Sequence, residues 1–590
     1  MWFFTSPRNP YRETIEAKRS RRAAALEHAP AFSAEKHQKY LDVTASQIVE
    51  NIEDGTWTAS AVLEAYVARA AQAHQVMNCL TEVFFEEAKE DALKLDAEFA
   101  ATGRLKGPLH GVPISVKDQF DVKGFDSTIG YTQWANKPAE RDAAIVSMLR
   151  AAGAIIITKT NIPQTLLAFE SVNPLWGRTC NPWSAAHTAG GSSGGEGALL
   201  AADGAALGLG SDVGGSIRIP SGYCGIFGLK PGHGRVPYAG AVGPNPGFEA
   251  VRAVAGPMGR SVADLERMAR LLFGERDASR QDYFPAPVPY RDVTLPKRLR
   301  FGYYLNGLMC MWRGEKFIDG AVKGSPACHR AVLETVEALR KEGHECIQIE
   351  PPDSAQALRC FAGITSADGY KKLTEHLGPD KKESALFLVT LGPRLPGFVR
   401  SFASWVIRNF VGDPIFASFL AQSHHKSIHQ YYNCVADKIA FEKRTRTSLW
   451  DAAGPDNLPL DAVLAPVQAV PALPHGGCDR LAPIACATLM YNVVDSPVGV
   501  VPVTRVDAAR DGLSDEWRAA PGNGSKILEG ELYGPKGAYN AQAMEGLPVG
   551  VQVVGQPWEE EKVLAIMHVI DAALGPRGFG PGSWGPSKLV

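Results

Sequence analysis

The chain has 590 residues, 45% hydrophobic and 21% charged, with a formal net charge of −2. That length allows one large or two modest cores, and near-neutrality gives no reason to expect nucleic acid or another polyanion as partner. The ten cysteines form no C-x-x-C pair and no zinc-like spacing, so no metal or other cofactor is expected and the thiols read as buried in a reducing compartment.

The first apolar run, Trp2 to Phe4, is far shorter than a secretory h-region, and no window approaches the length of a membrane span. Cytoplasmic residence is the expectation. Residues 11–28 form a basic helical pattern with Arg12, Lys18, Arg19, Arg21 and Arg22. Two readings are open: a solvated helix packed on the main body, or an interfacial anchor that uses Trp2, Phe3 and Phe4. Residues 44–77 read helical, with Thr58 as N-cap of "ASAVLEAYVARAAQA". Residues 1–60 are expected to form a helical extension ahead of a domain over 61–580.

From 100 to 275 short apolar runs alternate with helical patterns. "VPISV" (112–116) and "AIIIT" (154–158) read as strands, and "RDAAIVSMLRAAG" between them as a helix closed by Gly153. "DAVLAP" (461–466), "PVGVVPV" (497–503) and "LPVGVQVVG" (547–555) add strands before a helix at 558–574. Such alternation predicts an α/β core with helices on both faces of a sheet. The Pro-, Asp-, Arg- and Gly-rich stretches 276–296 and 505–530 predict surface loops or insertions. In 395–425, Phe398, Phe402 and Trp405 repeat at helical spacing. Gly412 and Pro414 interrupt, and Phe416 and Phe419 resume. The segment predicts a helix–turn–helix that is either an ordinary core pair or an exposed apolar cap meeting membrane or a lipid-like substrate.

The stretch "HTAGGSSGGEGALLAADGAALGLGSDVGGSIRIPSGYCG" (187–225) is dense in glycine and serine, yet threaded with leucine, valine and isoleucine. Glycine lets backbone approach a ligand closely, and successive N–H groups form an anion-binding concavity. Neither phosphate-loop pattern fits. Gly191 to Gly195 matches G-x-S-x-G around Ser193, but the partners such an elbow needs, for which His475 and His568 are candidates, lie in no recognisable setting. A second pattern uses more of the stretch. Ser192 and Ser216 lie 24 residues apart, each after Gly-Gly, and Lys117 follows the strand "VPISV".

These elements, with "HGVPISVKDQFDVKG" and "TKTNIPQTLLAFESVNPLWGRTCNPW", resemble the amidase signature family over more than forty positions. "TLMYNVVDSPVGVVPVTRV" (488–506) and "LPVGVQVVGQPWEEEKVL" (547–564) look like its branch of fatty acid amide hydrolases and fungal amidases. The resemblance implies a large twisted mixed β-sheet covered by helices on both faces. It implies a Ser–cis-Ser–Lys triad of Ser216 as nucleophile, Ser192 as proton relay after a cis peptide bond, and Lys117 as base. The N–H groups of Val213, Gly214, Gly215 and Ser216 would form the oxyanion hole. Ser193 would support Lys117, and Asp212 and Arg218 would brace the loop as an ion pair. The implied activity is hydrolysis of carboxylic amides, with lipid amides such as N-acylethanolamines first and short-chain or aryl amides as the alternative. Peripheral membrane contact and a homodimer are also implied. An amidotransferase subunit of a larger assembly is a further alternative.

Overall fold

The computed structural model describes residues 9–274, 286–305, 311–312, 315–316, 321–451, 458–519 and 524–585. Both the alternating run and the apolar run become strands buried on both faces: all of Pro113–Lys117 and of Ile155–Thr160 is buried. Among the described residues, eleven strands form one mixed sheet. They are β1 (Leu80–Val83), β2 (Pro113–Lys117), β3 (Ile155–Thr160), β4 (Leu207–Asp212), β5 (Phe227–Lys230), β6 (Val254–Gly259), β7 (Arg300–Tyr303), β8 (Glu345–Gln348), β9 (Ala462–Pro466), β10 (Val498–Arg505) and β11 (Pro548–Val554). Their spatial order is β1-β3-β2-β4-β6-β5-β10-β11-β9-β7-β8.

The register at the centre decides where chemistry sits. β2 runs parallel to β4, with Ile114 opposite Leu207 and Val116 opposite Leu209. The carboxyl ends of both strands, Lys117 and Asp212, therefore emerge at the same edge, where ligands bind in open α/β sheets. The helix Gly194–Ala201 packs directly on β4. A Cβ on Gly208 would lie 2.2 Å from Glu196 Oε2 and 2.9 Å from Leu200 Cδ1, so a larger residue would displace both side chains of this helix.

The basic N-terminal helix, Arg12–Glu27, packs on the body as one reading expected, but several of its cations point inward. Lys18 is buried against Glu82 and Asp126, and Arg22 donates to the Leu80 carbonyl at 2.7 Å and lies over Trp176. Trp2, Phe3 and Phe4 lie outside the described residues. The helical stretch 44–77 is two helices, Ala45–Glu53 and Ala59–Met77, and Thr58 caps the second by accepting from Ala61 N–H. The expected loop at 505–530 is partly helical, with Asp515–Ala519 and the start of Lys526–Tyr533. Ser525 caps the latter and also donates to Asp413, which is how the insertion ties itself to the segment 395–425.

That segment is a helix pair, Gly397–Val406 and Pro414–Gln422, joined through a wide turn that ends at Gly412 in the left-handed region. Its aromatic residues do not share one environment. Phe398, Phe402, Trp405 and Phe410 are exposed at 79%, 64%, 52% and 75%. Phe419 is buried and Phe416 half-buried. Neither of the two expected alternatives describes the whole segment: the second helix packs inward, whereas the first helix and the turn after it, which carries Phe410, present aromatic rings to solvent.

Candidate active site

Lys117 ends β2 in complete burial. Its Nζ lies 2.6 Å from Ser192 Oγ, 2.9 Å from Ser211 Oγ and 3.4 Å from the Ser211 carbonyl oxygen. Burial pulls its pKa down to about 7, against the carboxylates of Asp212 and Glu196, which act to raise it. Glu196 is itself buried and accepts hydrogen bonds from Ser115 and Thr160 at 2.6 and 2.7 Å; burial pushes it up to about 7.

The Gly191–Ser192 peptide is cis. Ser193 does not reach Lys117: its hydroxyl is 3.3 Å from the Ser211 carbonyl oxygen and 3.4 Å from the Ser211 amide. The expected direct support of Lys117 by Ser193 is corrected, because Ser211 of β4 lies between them and makes the contact. Nor does Ser193 form a nucleophile elbow. It is fully buried, His475 bonds the Ala185 carbonyl, and His568 pairs with Glu266.

Ser216 sits in the tight turn between β4 and the helix Arg218–Cys224. The buried Asp212 carboxylate organises that turn. It accepts from Gly215 N–H at 2.8 Å, Ile217 N–H at 3.1 Å, Asn492 Nδ2 at 2.8 Å and both Nε and Nη2 of Arg218 at 3.0 Å. Burial alone would raise the Asp212 pKa, but the Arg218 guanidinium outweighs it and holds the carboxyl below the ordinary range. Arg218 is in turn bonded to Thr488 O, Gln552 Oε1 and Asn492 Oδ1.

Of the four N–H groups expected in an oxyanion hole, Gly215 donates to Asp212 instead. Those of Val213, Gly214 and Ser216 donate to no acceptor among the described residues. Gly215 has φ +125°, and a Cβ there would lie 2.2 Å from Thr488 Oγ1, so glycine is required twice over. Gly214 differs from the expectation. A Cβ there would meet only Phe361 and Leu489 at ordinary distances, so crowding by the protein does not demand its glycine.

Ser216 opens on two cavities. One, of about 90 Å³, is lined by apolar side chains including Leu166, Phe169, Ile219, Phe419 and Leu489. The other, of about 350 Å³, includes Ser192, Ser211, Gln119, Tyr238 and Arg252. Ser192 and Ser216 face the second together, and Ser192 Oγ is bonded to Lys117 Nζ rather than to Ser216. Among the described residues no group of three or more His, Cys, Asp or Glu side chains could hold a metal ion.

Residues 61–564 match the amidase family model. The chain belongs to this family. It is 32% identical over 584 residues to fatty-acid amide hydrolase 1 of Sus scrofa, spanning 97% of this chain and 94% of that one. It is also 32% identical over 550 residues to an acetamidase of Emericella nidulans, spanning 92% and 91%. A solved fatty acid amide hydrolase superposes with a TM-score of 0.78 at 27% identity, spanning 96% of this chain and 91% of that one. The protein is accordingly an amidase-signature hydrolase acting on amide bonds.

Sequence reasoning missed Ser211, Gln119, Thr488 and Asn492. Ser211 adjoins Asp212 and Gln119 lies two residues past Lys117, within quoted motifs. Thr488 and Asn492 sit one helical turn apart in "TLMYN", which carried resemblance but no assigned role.

Proposed function

We propose that this amidase hydrolyses amides with an apolar acyl group through an acyl-enzyme on Ser216. The carrying observation is a fully buried Lys117 whose Nζ lies 2.6 Å from Ser192 Oγ. A lysine near pKa 7 is largely neutral at slightly alkaline pH and can accept a proton. Ser216 Oγ attacks the carbonyl carbon while its proton passes to Ser192 and that of Ser192 to Lys117. The carbonyl oxygen gains charge where the N–H groups of Val213, Gly214 and Ser216 are unengaged. The relay reverses, Ser192 protonates the departing nitrogen, and the amine leaves. Water then attacks the ester by the same route, giving carboxylate and free Ser216.

The apolar cavity beside Ser216 suits the acyl group, and the cavity shared with Ser192 suits the leaving amine, since Ser192 must face the nitrogen. Fatty acyl amides are the first reading. The exposed rings of Phe398, Phe402, Trp405 and Phe410 belong to the helix pair whose other helix brings Phe419 to the acyl cavity. That continuity supports delivery of substrate from a lipid surface. One observation favours a short-chain amidase instead: the apolar cavity holds only about 90 Å³. A panel of acyl amides from acetyl to oleoyl separates the two. Rates that peak on long chains and vanish, with fluorophosphonate labelling, in Ser216→Ala support the first reading; a peak at acetamide with no activity on long chains sinks it.

A further inference from the structure

A second chain of hydrogen bonds, separate from the contact with Ser192, leads away from Lys117. Lys117 Nζ is 2.9 Å from Ser211 Oγ, Ser211 Oγ donates to Gln119 Oε1 at 2.5 Å, and Gln119 Nε2 donates to Tyr238 Oη at 2.8 Å. Tyr238 and Gln119 line the same cavity as Ser192 and Ser216. We propose that Gln119 is a positioning residue that aims the lone pair of Lys117 at Ser192, by holding the Ser211 hydroxyl as an acceptor; the inference rests on the function proposed above.

The reason is a count of protons. Neutral lysine carries two N–H donors and one lone pair. The Ser211 carbonyl oxygen can only accept. The Ser211 hydroxyl could accept or donate, but its single proton is committed to Gln119 Oε1, so toward Lys117 it too can only accept. Both N–H donors then face Ser211 and the lone pair is left for Ser192 Oγ at 2.6 Å. Were the Ser211 proton released, it could turn to the lysine nitrogen and occupy the lone pair that the relay needs. Tyr238 Oη accepts from Gln119 Nε2 and so holds the far end of the same amide. The charged groups facing Lys117 are the carboxylates of Asp212 and Glu196, and neither bonds to Gln119 or Ser211.

The test is the pH dependence of kcat/KM for an aryl amide in the full chain, wild type against Gln119→Leu and Gln119→Glu. Gln119→Leu frees the Ser211 proton to stabilise neutral lysine unproductively. The expected result is a kcat loss of about 10- to 100-fold, with the acid limb moved to lower pH by about half a unit or more. Gln119→Glu keeps an acceptor for Ser211 but adds negative charge. It should retain a plateau rate within about tenfold of wild type, with the limb moved to higher pH. Limbs that move in opposite directions are not the signature of a loosened site. Wild-type rate and limb in Gln119→Leu, or loss of rate in both variants with the limb unmoved, would overturn the inference. Where Gln119→Leu fails to fold, Gln119→Asn, whose shorter amide withdraws the acceptor from Ser211, replaces it with the same expected and overturning results. Amide hydrolysis that survives Ser216→Ala would instead overturn the reading of the site beneath it.

Discussion

The glycine- and serine-rich stretch 187–225 and the aromatic helix pair 395–425 invert what composition suggests. The first has the makeup of a linker, yet Ser192, Ser193, Asp212 and Arg218 are buried and bonded. The second has the makeup of a core element, yet Phe398, Phe402, Trp405 and Phe410 stand in solvent, with Phe402 stacked on Trp405 at 6.0 Å. The difference lies in what each must contact. In the first stretch small residues let backbone and helices approach closely, Asp212 is paired with Arg218, and Ser192 is bonded to Lys117. In the second, the exposed rings touch one another, Phe402 with Trp405 and Trp405 with Phe410, and leave an apolar face open to a partner.

The two regions should respond to mutation in opposite ways. Lys117→Ala should lower kcat by about 10²- to 10⁴-fold, the range for a lost general base. In the wild type, kcat/KM should rise through about pH 7. The sign follows from the proposed relay: a Lys117 that must work unprotonated, with its pKa lowered by burial, would lose activity as pH falls through that value. A limb near pH 10 in steady-state assays would show an ordinary, solvated lysine. Arg218→Leu should cost about 3–5 kcal/mol in urea melts, because it leaves the Asp212 carboxylate buried without its partner. A cost below about 1 kcal/mol would mean that the ion pair does not hold the turn. Serine at both Phe402 and Trp405 should change stability by less than about 0.5 kcal/mol, as for exposed sites. It should, however, reduce cosedimentation with phosphatidylcholine vesicles several-fold. Unchanged vesicle binding would break the proposed contrast and return the aromatic face to an ordinary surface.

The legibility of the site follows chain distance. Lys117, Ser192, Asp212, Ser216 and Arg218 fall within contiguous motifs whose residue order already implies close approach of backbone to substrate. The resemblance implied that Ser193 supports Lys117, whereas the turn after Ser192 points its hydroxyl at the Ser211 backbone. Thr488 and Asn492 contribute to the same turn from more than 270 residues away, donating to Gly214 O and Asp212 Oδ1. No local spacing announces such a contact. The helix pair was legible as amphipathic, but periodicity reports that a helix has an apolar face and not whether anything covers it.

By itself, then, the sequence determined the strand–helix alternation and the buried β2 and β3, because hydrophobic period is a local property of the chain, and its family resemblance singled out Lys117, Ser192 and Ser216 as candidates. Only the tertiary structure decided that Ser211 rather than Ser193 supports Lys117, that Gly215 gives its N–H to Asp212, and that Phe419 faces inward while Phe402 faces out. Those outcomes depend on β2 and β4 lying parallel and side by side, and on which surfaces remain uncovered once the sheet has packed. Neither can be read from any one segment, since each is a relation between segments brought together by burial of the core.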